Sequence, residues 1–185
     1  MKYVKAVLFV LVSMIVLFLV VAIFMPAEFK LERTITIDCP ADFVFWQAAD
    51  LDNFNKWNTW YEEEPSAYKP IQGNPGLGQV SEWSGKEVGT GKLTNTVVTE
   101  NSYIEQKLEF TAPFESTSKV WFNFSESQGK TTVVWGVSDD LSYPIERFMK
   151  VKIESGLSDS FNHGLANLKK LSESTYKKPI LLEFD

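Results

Sequence analysis

From Ala6 to Met25 the chain runs for twenty residues with no charge and a single hydroxyl, Ser13. At about 1.5 Å of rise per residue, such a run coiled as a helix spans the roughly 30 Å of a bilayer's hydrocarbon core. A cleaved signal sequence has a shorter apolar stretch of about 7–15 residues and a small-x-small cleavage site. Here the run ends Ala22-Ile23-Phe24-Met25-Pro26-Ala27 without such a site, so an uncleaved membrane anchor over residues 1–28 is expected. Lys2 and Lys5 precede the run without acidic neighbours, whereas Lys30 and Arg33 follow it among Glu28 and Glu32. A short basic N-terminal flank usually sets orientation, which predicts a single-pass protein with a cytoplasmic N-terminus and an extracytoplasmic domain.

Residues 29–174 then have the size of one ordinary domain, and residues 175–185 form a tail with a short apolar stretch, Ile180 to Phe184. The net charge of −6 argues against nucleic acid or an anionic lipid surface as an electrostatic partner. With Cys39 as the one cysteine, an internal disulfide and a cysteine-rich metal site are both excluded. No cofactor is expected.

Within the domain two periodicities divide the chain. Phe29 to Ile37 alternates apolar and polar residues as a strand does. Pro40 and Asp42 mark a helix start before Phe43, Val44 and Ala48, and a second short helix is expected around Leu51 to Lys56. Trp57 to Tyr61 closes this helical pair, and Glu62-Glu63-Glu64-Pro65 reads as a solvated loop. Strand signals follow at Tyr68–Gln72, Gln79–Ser84, Gly89–Glu100, Tyr103–Phe110, Glu115–Glu126 and Lys130–Asp140, separated by short turn sequences such as Gly73-Asn74-Pro75-Gly76 and Gln128-Gly129. Links this short imply antiparallel neighbours. Last comes a helical stretch from Tyr143 to Leu171, with Pro144 near its start and Leu157, Phe161, Leu165, Leu168 and Leu171 at steps of three and four. The expected architecture is α+β: a curved antiparallel sheet of about seven strands around one long C-terminal helix, behind a transmembrane helix.

That order of elements is the order of the helix-grip fold. The residues resemble the START-like (SRPBCC) superfamily, in particular its polyketide cyclase/dehydrase and lipid-transport branch. The resemblance is carried by Ile35-Thr36-Ile37-Asp38-Cys39-Pro40-Ala41 leading into Val44-Phe45, and by Asp50-Leu51-Asp52-Asn53-Phe54 through Trp57-Asn58. Gly89-Thr90-Gly91 and the closing Gly164-Leu165-Ala166-Asn167-Leu168-Lys169-Lys170-Leu171 extend it to the end of the domain. Thr59 stands between Trp57 and Trp60 where similar proteins are expected to carry a proline. The resemblance implies a cavity between sheet and helix that holds a lipid or other apolar small molecule.

His163 is the only histidine, and Asp159 lies one turn before it. Both point away from the Leu157, Phe161 and Leu168 stripe, so solvent exposure is the expected state. Glu154 falls near Phe161 and Leu165 on the same helical count. Facing a cavity it could orient a polar ligand head, and it is the one weak candidate for a catalytic acid or base, set against a Glu that reaches water at a cavity mouth. Asn95 and Gln106 lie on inward strand faces, where they could contact a ligand or bond each other. Trp57, Trp83 and Trp135, with Phe110, Phe122 and Phe161, are expected to line the cavity or to be core. Three functions remain open at this point. They are a membrane-anchored binding or carrier domain for an apolar ligand, a cyclase/dehydrase-type enzyme using a cavity carboxylate, and a protein-interaction domain with a filled core.

Overall fold

The computed structural model describes residues 2–177, so the apolar stretch expected at Ile180–Phe184 lies outside the described residues. The elements are α1 (Lys2–Ile23), β1 (Glu28–Ile37), α2 (Ala41–Ala49), α3 (Leu51–Phe54), α4 (Thr59–Glu63) and a 3-10 turn (Pro65–Ala67). These are followed by β2 (Val80–Ser84), β3 (Thr90–Thr99), β4 (Tyr103–Ala112), β5 (Ser116–Ser127), β6 (Lys130–Asp140) and α5 (Ile145–Thr175). One antiparallel sheet has the order β1-β6-β5-β4-β3-β2. The helices α2 to α4 therefore carry the chain from one edge of the sheet to the other, and α5 crosses the face that they leave open.

The sheet has six strands where the sequence pattern predicted about seven. Tyr68 and Gln72 meet β2 through isolated bridges to Trp83 and Val80. Between them Pro70 has no N–H to donate, so the ladder breaks and the segment does not become a strand. The helical pair is also a trio. Asn58 accepts a hydrogen bond on its side-chain oxygen from the Trp60 N–H at 3.1 Å and starts α4 where the pair was expected to end.

Glu64 corrects a third expectation. Its carboxylate accepts backbone N–H groups from Lys86 at 3.2 Å, Glu87 at 3.0 Å and Val88 at 3.4 Å, so it clamps the β2–β3 turn instead of standing in a solvated loop. These donors hold its pKa below the ordinary glutamate value. Gly85 faces the same carboxylate, and a Cβ there would overlap it.

Sheet and helix meet over aromatic rings. Trp135 and Phe161 stack with centroids 3.9 Å apart and planes 10° from parallel. Phe122 lies against the same indole at 5.2 Å, and Trp57 meets it edge-on at 5.4 Å. Gly164 lets α5 come this close, because a Cβ there would stand 2.9 Å from the Trp135 ring. Gly164→Ala is therefore expected to destabilise the domain by about 1–3 kcal/mol through overpacking. The measurement is a denaturant midpoint of the full chain in detergent, and an unchanged midpoint would mean that α5 lifts off the sheet without cost.

Candidate functional site

Beyond the Trp135–Phe161 stack, sheet and helix separate around a cavity of about 360 Å³. Small-molecule sites usually occupy roughly 300–1,000 Å³. Its floor is set by strand register, because residues opposite one another share a face. Leu93 pairs with Leu108, Leu108 with Ser118, and Val120 with Val137, and all of these line the cavity. Ile153, Leu157 and Phe161 form the roof at the expected helical steps. The inner end closes on Trp135, Phe54 and Trp60, while Pro113 and Phe114, the latter 79 % exposed, mark the mouth.

The residues expected at the site divide into two layers. Trp83, Gln106, Phe110, Trp135 and Phe161 line the cavity. Trp57 and Phe122 are buried one layer behind it, against Trp135, and Trp57 donates its indole N–H to the Gln47 carbonyl at 2.7 Å. Glu154 is half-buried between two lining residues, Ile153 and Leu157, and is not part of the wall. His163 and Asp159 are exposed.

Asn95 and Gln106 bond each other, and the direction of that bond can be derived. The Asn95 amide nitrogen donates to the Ala49 carbonyl at 2.8 Å and to the Gly76 carbonyl at 2.9 Å. Only an NH2 group can face two carbonyls, so Asn95 turns its oxygen toward Gln106 and accepts the Gln106 Nε2 donor at 2.9 Å. Gln106 Oε1 is left buried without a protein partner. The same is true of Asn55 Oδ1, Ser81 Oγ and Trp135 Nε1, all on residues that line the cavity. An unpaired buried polar atom costs about 1–3 kcal/mol, so four in one wall are a feature to be explained.

A second polar group stands near the mouth and was not singled out in the sequence. Asp139 and Glu146 both line the cavity, and Ser118 donates its hydroxyl to Asp139 at 2.6 Å. Asp139 continues the inward alternation of Val133, Trp135 and Val137 by one step, which is the signal that could have revealed it. Burial raises the Asp139 pKa above the ordinary aspartate value, with the Glu146 and Asp140 charges adding to the effect and the Ser118 hydrogen bond opposing it. Burial likewise raises the pKa of Tyr68, another wall residue, and keeps it a neutral phenol.

The Asp139 shift has a defined sign. Its folded carboxyl holds a proton more tightly than the unfolded one, so the stability it contributes is complete below the unfolded value of 3.8 and is lost as pH rises through the raised folded value. Asp139→Asn stays neutral throughout and still accepts the Ser118 hydroxyl. It is expected to raise Tm at about pH 7, with the gain shrinking toward zero below about pH 4. A gain of equal size at both pH values would place the effect in packing and not in charge.

Comparison with known proteins bears on the whole domain. A family described as polyketide cyclase / dehydrase and lipid transport matches residues 28–173. Among solved structures the chain is similar to protein MLL2253 from Mesorhizobium loti, with a TM-score of 0.61 at 12 % identity over 80 % of this chain and 99 % of that one. It is also similar to TTHA0849 from Thermus thermophilus, with a TM-score of 0.57 at 15 % identity over 81 % and 99 % of the two chains. The Aha1 dimer from Colwellia psychrerythraea gives a TM-score of 0.55 at 17 % identity over 78 % and 96 %. Identity at this level speaks to the fold alone. No match was found among curated protein sequences. The family match runs from the first residue of β1 into the last turn of α5 and so takes in the sheet, the helix and the cavity between them; the chain belongs to the polyketide cyclase/dehydrase and lipid-transport family of the START-like (SRPBCC) superfamily.

Proposed function

We propose that the protein is a membrane-anchored binding or carrier domain for a lipid or other apolar small molecule. The observation that carries this reading is a hollow, largely apolar cavity whose mouth lies at the anchor end of the domain. Leu141 lines the cavity and donates its backbone N–H to the Ala27 carbonyl at 2.6 Å, a few residues beyond α1. Phe29 lines it too. The end of α1 is tied to the start of α5: Phe18 stacks on Phe148 at 4.4 Å, Tyr143 donates its hydroxyl to the Leu19 carbonyl, and Arg147 donates to the Ala22 carbonyl.

α1 is long and apolar enough to cross a membrane, and its side chains are almost wholly exposed. Phe114 at the mouth is exposed, and on α5 so are Ile145 and Val151, the last at 78 %. Apolar side chains in that position favour contact with an apolar phase over contact with water. A ligand leaving the bilayer next to α1 would then enter without crossing bulk water. The filled-core alternative is not supported by a domain with this free volume. For the cyclase/dehydrase alternative, Asp139 and Glu146 offer carboxylates that meet the cavity, as Glu154 does not.

Two measurements test the preferred reading. Deleting residues 1–25 is expected to release the chain from sedimenting membranes. Native mass spectrometry of the full chain, taken from its own membranes in mild detergent, is expected to retain an intact apolar mass. Leu157→Trp, which fills the cavity from the roof, is expected to lose that mass while keeping the fold. A wild-type chain that carries no mass and takes up no apolar dye would overturn the binding reading.

A further inference from the structure

The exposed apolar residues of the domain are gathered in one place. Beyond α1 and Phe24, and apart from Trp46, Leu77, Val97 and Phe114, the exposed large apolar side chains are Tyr143, Ile145, Phe148, Met149 and Val151, all at the start of α5. From Lys152 to Thr175 the helix exposes no residue of this kind. Ile145, Phe148 and Met149 follow helical steps of three and four, and Val151 lies three beyond Phe148. The charged groups of the same turns are engaged elsewhere. Glu146 lines the cavity and accepts the Ser142 N–H at 2.6 Å, while Arg147 donates to the Ala22 carbonyl at 3.1 Å and lies 5.5 Å from the centre of the Tyr143 ring. Lys150 and Lys152 come next, and the long stem of a lysine lets its ammonium group reach a headgroup layer from an apolar one.

What covers this face follows from the depth at which it meets α1. The apolar span from Tyr3 to Ile23 has 21 residues, or about 32 Å of helix, and a hydrocarbon core of roughly 30 Å takes up all of it. With no turn to spare, Phe18 and Leu19 cannot stand in water while α1 crosses a bilayer. Yet Phe148 stacks on Phe18, and Tyr143 reaches the Leu19 carbonyl. Phe18 precedes Ile23 by five residues and so lies roughly 7 Å inside the end of the span. We infer that the segment from Tyr143 to Val151 is itself inserted in the bilayer that α1 crosses, in the leaflet next to the domain, with Ile145, Phe148, Met149 and Val151 among the acyl chains. This rests on the anchor in the reading above and adds a second membrane contact, made by the domain. Four side chains hold a domain to lipid only weakly by themselves, so the contact depends on the high effective concentration that α1 imposes. Glu146 belongs to the same turns and lines the cavity, which sets the cavity mouth at the headgroup layer and not in open water.

The test places an environment-sensitive NBD label on an introduced cysteine of the full chain, in phosphatidylcholine vesicles with or without a lipid that carries a nitroxide quencher high on its acyl chain. Cys39 is buried and does not compete for the label. The label on Met149→Cys is expected to lose about half or more of its emission to the quencher, as the label on Val20→Cys in α1 does, while that on His163→Cys, exposed further along α5, loses about a tenth or less. Adding Ile145→Asp and Val151→Asp, both at exposed positions, is expected to bring quenching at position 149 down to the level of position 163. Quenching at position 20 with none at position 149 would overturn the insertion and leave the anchor standing. No quenching at either position would overturn both. A blue-shifted label at position 149 that the nitroxide lipid does not reach would show the face covered by protein, a second copy of this chain included, and would reject the insertion. Equal quenching at positions 149 and 163 would reject it as well, because the contact would not be confined to the start of α5.

Discussion

The stack of Trp135 on Phe161 is the contact on which the geometry of the domain depends. It fixes where α5 meets the sheet, and Gly164 permits the approach by leaving out a Cβ. On one side of this contact lie the tightly packed rings of Trp57, Phe54 and Phe122. On the other side the helix stands off the strands, and the wall residues of α5 become the half-buried Ile153 and Leu157 in place of the fully buried Leu165 and Leu168. The cavity is the space left where Ile153 and Leu157, in the first half of the 31-residue helix, stand off the strands, while Ser158 and Lys169 tie the helix to β1 through Arg33 and the Thr36 carbonyl.

A second constraint works at the far edge. β3 carries a bulge between Asn95 and Val97, opposite Gln106 and Glu105. A bulge bends a strand and increases its local twist. Asn95, beside the bulge, ties the strand to the end of α2 and to the loop at Gly76, while Gln79 accepts the Leu51 N–H at 2.7 Å and joins the same loop to α3. A buried amide network of this kind is stabilising only when each member is satisfied. Asn95 meets that condition with three bonds. Gln106 does not: its Oε1 is left buried and unpaired.

Much of the fold was legible in the sequence because it rests on periodicity. Strand alternation and the three-and-four stripe of α5 follow from which faces are buried, and burial writes itself into residue choice along the chain. The failures were at places where one residue overrides the pattern. Pro70 broke a segment that otherwise alternates like a strand, and Asn58 started a helix that no apolar stripe announces. Glu64 looked solvated because its partners, the N–H groups of residues 86–88, are backbone donors that carry no sequence signature.

The site was less legible for the same reason. Helical counting placed Glu154 on the Phe161 and Leu165 stripe, but the stripe widens where the helix leaves the sheet, and the wall there passes through Ile153 and Leu157. Which inward polar residue faces a ligand and which is consumed by the scaffold cannot be read from alternation. Asn95 and Gln106 are directly opposed and equally buried, yet all three side-chain bonds of Asn95 are made within the scaffold and the Oε1 acceptor of Gln106 is left without a partner. The difference arises from the loop at Gly76, which supplies one of the two carbonyls that fix the Asn95 amide. The polarity of this part of the scaffold is thus set by a backbone carbonyl that is not part of the cavity wall.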